Sequence, residues 1–173
     1  YIHLYRPLAP SRYPAQGLTE MAMPYVDLDV AGEPIPADHT GAFDGESDGP
    51  VDATWQPGSR YFDIIDHGTA LATYTGLVGG AESDLLARPS EELGNVELRR
   101  VRAQLDAHVA AHTARLRARA INAAFGWSAT EVELNTSLDE GGCNAYFDGT
   151  LNFLRQNNQC NNTARIHDVV FHE

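Results

Sequence analysis

Two periodicities divide this chain. In its first half apolar and polar side chains alternate in short runs, the period-two signature of half-buried strands. Tyr25-Val26-Asp27-Leu28-Asp29-Val30 alternates cleanly and is closed by Ala31-Gly32. Val51–Trp55 and Arg60–Ile65 repeat the pattern on either side of Pro57-Gly58, and residues 70–78 predict a further strand. Residues 1–24 hold four prolines and three early tyrosines and read as an extended segment docked on the rest. Short strands at this spacing, punctuated by Gly, Pro and Asp, predict a small antiparallel β unit over residues 1–80.

From Asn95 the spacing changes to three and four. Val96, Leu98, Val101, Leu105, Val109, Leu116 and Ile121 predict one long helix with Asn95 as its N-cap, ending near Gly126. Arginines gather toward its C-terminal half, where they suit the helix dipole. Glu131–Asn135 reads as a strand. Asn144–Phe147 and Thr150–Phe153 read as a strand pair turning at Asp148-Gly149. Asn161-Asn162-Thr163 then offers N-caps for a helix marked by Ile166, Val169 and Val170, and this helix carries His172-Glu173. The polar, aperiodic stretch 81–94 predicts a linker. The expected class is α+β: a β-sandwich-like unit at 1–80, the linker, and a helix-and-strand unit at 95–173.

At 173 residues the chain can bury a substantial core. No apolar run approaches a membrane span, and Tyr1 opens no signal-peptide pattern, so the N-terminus is expected to be a processed end. The net charge is −12, and all 12 basic residues are arginine. An acidic surface without basic patches argues against nucleic acid and anionic membranes as partners. Absence of lysine suggests a GC-rich bacterial source. The two cysteines, Cys143 and Cys160, bracket the strand pair. By count alone a disulfide and two buried thiols are equal. The Asn- and Gln-rich loop beside them favours the disulfide, and with it an oxidising, secreted setting.

The residues that carry chemistry lie in the last quarter. Asn144-Ala145-Tyr146-Phe147-Asp148-Gly149, then Asn161-Asn162-Thr163-Ala164, then Val169-Val170-Phe171-His172-Glu173 occur in an order that resembles the gluzincin zinc metallopeptidases, in their thermolysin-like and fungalysin-like branches. His-Glu is the first half of H-E-x-x-H, in which two histidines four apart share one helix face and hold zinc. The resemblance implies that residues 95–173 are the N-terminal strand and helix part of a thermolysin-like catalytic domain. It implies that His172 is a zinc ligand and Glu173 the general base. It also implies that Asn144 and Ala145 line a cleft that holds peptide or protein substrate by strand addition. The family's second histidine, glutamate ligand and transition-state stabiliser have no counterpart here. The expectation is an incomplete portion of a secreted metalloendopeptidase, inactive by itself and completed by a missing C-terminal part. The alternative is a non-catalytic β-sandwich-plus-helix module, a propeptide, inhibitor or surface protein, with an accidental His-Glu.

Three further features bear on function. Asp27, Asp29, Asp38, Asp44, Glu46, Asp48 and Asp52 are candidate Ca2+ ligands, three of them within the loop Gly41–Gly49, with a solvated acidic loop as the simpler reading. The segment Asp38–Phe43 resembles the strand-and-turn rhythm of small β-sandwiches. His108 and His112 have the i, i+4 spacing of a metal pair, but Val109 follows the first where a base would stand, and packed histidines are the expectation.

Overall fold

A computed structural model describes residues 2–8, 16–44, 49–79, 85–87, 93–124 and 130–173. The acidic loop residues Glu46 and Asp48, part of the expected linker, and Gly126 lie outside the described residues.

The fold is α+β. The alternating runs become β3 (Asp27–Val30), β4 (Glu33–Pro36), β5 (Val51–Trp55) and β7 (Tyr74–Val78), a four-stranded antiparallel sheet in the order β4-β3-β5-β7. Leu28 pairs with Trp55, and both side chains are buried. The β3–β4 turn forces a left-handed backbone at Ala31 and Gly32, with the Gly32 N–H donating to Asp29 Oδ1. The N-terminal segment does more than dock: β1 (Ile2–Leu8) and β2 (Gln16–Ala22) form an antiparallel pair. β1 also pairs in parallel with β8 (Leu85–Ala87), which lies inside the stretch expected as linker.

The predicted strand at 70–78 begins only at Tyr74. Gln104 takes the preceding backbone: its Oε1 accepts from the Ala72 N–H, and its Nε2 donates to the Ala70 carbonyl. Those peptide groups are therefore satisfied by a helix side chain rather than a strand ladder.

The long helix, α1, is Asn95–Ile121. Asn95 lies within its first turn and Gly94 is the N-cap, without a side-chain cap bond. The helix stops before Gly126 because Asn122 turns extended and its side chain accepts from the Ala124 N–H, the competition that makes Asn a poor interior residue. Two opposite faces of α1 are buried. Val101, Leu105 and Val109 join Leu28, Ala53, Trp55, Val78, Leu85 and Ala87 in one core. Ala103, Ala107, Ala110 and Ala111 pack in a second core, where small side chains let the helix lie close to a sheet.

That second sheet runs β10 (Ala145–Phe147), β11 (Leu151–Leu154), β9 (Val132–Leu138), β6 (Phe62–Asp66). β6 and β11 flank β9 in parallel, and β10 is antiparallel to β11. Period-two alternation sends Phe62, Ile64, Val132, Leu134, Leu151, Phe153 and Ala145 toward α1. Strand pairing thus crosses the expected boundary at 81–94, since β6 is held by β9 and β8 by β1. A 3-10 turn (Thr163–Arg165) and α2 (His167–His172) close the chain. The capping differs from expectation: Asn162 caps the 3-10 turn through the Ala164 N–H, and Ile166 precedes α2. Among the described residues, no helix is long and apolar enough to cross a membrane.

Candidate functional site

The site is built where the second sheet ends and α2 begins. β10 is the outer strand of that sheet. Gly149, in a left-handed conformation (φ 111°), turns the chain from β10 to β11. The Leu154 N–H donates to the Asn144 carbonyl, and the Asp148 N–H donates to the Thr150 carbonyl. Because backbone groups alternate sides along a strand, residues 144, 146 and 148 turn theirs toward β11. Ala145 and Phe147 therefore turn their N–H and C=O groups to the sheet's outer edge. The Asn144 side chain is exposed, whereas the Ala145 methyl is buried in the second core.

The loop between β11 and α2 pins this strand. Thr163 Oγ1 donates to the Asn144 carbonyl (3.0 Å) and accepts from the Leu154 N–H (2.8 Å). Asn162, buried, donates from Nδ2 to Ser137 Oγ (3.0 Å), and Ser137 donates onward to Asp66 Oδ2 (2.8 Å). The cysteines are joined: Cys143 and Cys160 form a disulfide with Cα atoms 5.7 Å apart, locking the start of β10 to the same loop. Asn157 reinforces it by donating to the Gly142 carbonyl (2.7 Å).

α2 leans on α1 through Val170, which is buried in the second core with Ala111 and Ala164. A part-buried ion pair between Arg165 Nε and the buried Asp106 Oδ2 (3.4 Å) fixes the preceding turn to α1. His172 lies on the exposed side of α2, and Glu173 continues the helical turn through its N–H bond to the Val169 carbonyl (3.2 Å). Both line a cavity of about 210 Å³ with Phe62, Ala111, Ala114, Arg115, Ala118, Leu151, Val170 and Phe171. Leu151 links the two halves of the site, since it pairs with Phe147 of β10. The structure thus brings the strand carrying Ala145 and the helix carrying His172-Glu173 onto one core. Asp168 is on the first turn of α2, one turn before His172.

His172 presents one imidazole at the mouth of this cavity beside one carboxylate. Among the described residues no group of three or more His, Cys, Asp or Glu side chains is arranged to hold a metal ion. Of the acidic candidates for Ca2+, Asp38 has a local structural task. Its Oδ1 accepts from the Thr40 side chain and from the Thr40 and Ala42 N–H groups, and the Thr40 bond foremost holds its carboxyl below the usual range.

His108 and His112 are fully buried. The Gly58 N–H donates to His108 Nδ1 (3.1 Å), so Nε2 carries the proton and donates to the Pro24 carbonyl (2.9 Å). His112 Nε2 lies 3.0 Å from Ser59 Oγ, and its Nδ1 has no hydrogen-bond partner. Burial holds both rings neutral, pushing His108 down to about 4 and His112 lower still, the latter helped by His108 and Arg115.

Sequence reading missed Arg115, whose guanidinium sits 3.4 Å from the centre of the Tyr61 ring and which lines the cavity beside Glu173. Its i+3 spacing from His112 was the available signal. A second cavity, about 330 Å³, is lined by Arg99, Arg100, Arg155 and the amides of residues 156–158 and 162. Two of those arginines are engaged, Arg155 with Asp139 (2.6 Å) and Arg100 with the Gly68 carbonyl.

No family model, curated protein or solved structure matches this chain.

Proposed function

We propose that this chain is the N-terminal portion of a secreted zinc metalloendopeptidase of the gluzincin type. The observation that carries the reading is the pairing of an outward-facing strand edge at Ala145 with an exposed His172-Glu173 turn on the same core.

Ala145 offers one N–H and one C=O to an extended peptide, and the exposed Asn144 amide adds a donor and an acceptor beside them. His172 supplies one imidazole to zinc, with the other ligands outside these residues. Bound zinc would polarise the scissile carbonyl and lower the pKa of its water. Glu173, next in the chain, accepts the proton of the attacking water and returns it to the leaving amine. The disulfide and the Thr163 hydroxyl's hydrogen bond to the Asn144 carbonyl hold the substrate strand in place, and the disulfide suits an extracellular setting.

The test is made on the polypeptide extended through the residues encoded after Glu173. Zinc content and casein cleavage are measured for the parent, Glu173→Gln and His172→Ala. Glu173→Gln should keep zinc and lose cleavage, and His172→Ala should lose both. Cleavage surviving Glu173→Gln would defeat the mechanism. A protein with neither zinc nor cleavage would favour the non-catalytic binding module instead.

A further inference from the structure

We propose that His108 and His112 form an acid-operated latch that clips α1 to the loops before β3 and before β6. The geometry is that of a clip. His108 is bonded on both ring nitrogens, to the Gly58 N–H and the Pro24 carbonyl, so one side chain joins two segments far apart in sequence to the helix. One turn later His112 reaches Ser59. The two rings lie 4.6 Å apart, centre to centre.

The His108 grip requires a neutral ring, and the His112 ring is buried beside it. Protonated His108 would carry a proton on Nδ1 and could no longer accept from Gly58, so two donors would face each other. Protonated His112 would gain a second charge 4.6 Å from the first. Among the described residues, the charged groups in ring contact with this cluster are two arginines. From α1 comes the Arg115 guanidinium, over the rings of Tyr25 and Tyr61. From the loop before β6 come Arg60, over the same two rings, with Tyr61 and Phe62 packed on His112. From the loop before β3 comes Tyr25 against His112, and Asp27, at the start of β3, has its carboxyl raised by burial, which Arg60 partly offsets. Burial accordingly keeps His108 neutral down to about pH 4 while the latch is shut.

Opening exposes both imidazoles to water, where they take up protons below about pH 6.5. Each then multiplies the opening equilibrium about tenfold per pH unit, and the two together about a hundredfold. Tyr25 would be freed as well, and it is held in a left-handed backbone conformation (φ 59°) by the Tyr25 N–H bond to the Asp38 carbonyl.

The Gly58 amide reports the latch directly. Its hydrogen exchange, corrected for intrinsic rates, should be followed from about pH 6 to 4.5 in the full chain. The parent should show an opening constant rising about a hundredfold per pH unit. His112→Phe, which keeps the aromatic packing, should reduce that to about tenfold. Adding His108→Gln, whose amide can still accept and donate, should leave the constant nearly flat. A double variant with the parent's slope would overturn the proposal. Should the variants fail to fold, imidazole NMR of the parent decides. Rings that stay neutral until the Gly58 amide loses protection support the latch, and a protonated ring beneath a protected amide overturns it.

Discussion

Removing the disulfide should cost about 3 kcal/mol, a loss set by the loop it closes. Cys143 and Cys160 are 17 positions apart, and the chain-entropy relation for a loop of that size gives about 3 kcal/mol at 25 °C. The structure argues that the full amount should appear. Cys143 precedes β10, and Cys160 precedes the Asn162-Thr163 clamp on Asn144. Without the bridge, those bonds must order the loop alone. The assay is urea unfolding of the parent against Cys143→Ala/Cys160→Ala, followed by far-UV circular dichroism. With a urea slope of about 2 kcal/mol per M, the midpoint should fall by about 1.5 M while the slope stays unchanged. Adding reductant to the parent should reproduce the variant's curve. A midpoint shift below about 0.5 M would refute the reasoning, because the hydrogen bonds of residues 157–163 would then suffice without the cross-link.

His108 has a lower pKa folded (about 4) than unfolded (about 6.5), so the unfolded chain binds more protons as pH falls. Its share of stability is complete above about pH 6.5 and disappears by about pH 4. Urea midpoints should register about 2 kcal/mol lost from this group between pH 7 and 5, with His112 adding in the same direction. Asp106→Asn should cost about 1.5–3 kcal/mol by weakening the charge-assisted bond to the part-buried Arg165 guanidinium, whereas replacing both partners with Met and Leu should cost less. Chemical denaturation of the two single variants and the double variant checks this. Phe153→Ala empties the centre of the second core and should cost about 3–5 kcal/mol, with exchange protection lost first along β10. His172→Ala, at an exposed position, should change stability by less than about 0.5 kcal/mol, so any loss of zinc uptake in the extended polypeptide would reflect ligation alone.

The alternating runs and the long apolar helix were legible because period two and period 3.6 are local properties of the chain. The hairpin at Asp148-Gly149 was legible for the same reason, since a turn chemistry within four residues determines it. The strand carrying Ala145, the helix carrying His172, and the proximity of Cys143 to Cys160 all lie within reach of that local grammar. Gln104 was different. Its amide claims the backbone of residues 70–72, and nothing in the apolar pattern announces a polar side chain that cuts a distant strand short.

By itself the sequence determined which segments could be strands, which could be helices, and which residue types could meet a metal or a peptide. Tertiary structure alone decided that β6 joins β9, so that segments on either side of the expected linker are woven together, and that β8, within that stretch, joins β1. It also decided that α1 is buried on two opposite faces and that the packing of His108, expected from the sequence, is secured by the Gly58 N–H and the Pro24 carbonyl. The physical reason is that a backbone edge or a helix face carries no address. Which partner it finds depends on the burial that partner completes, and that sum is taken over the whole fold.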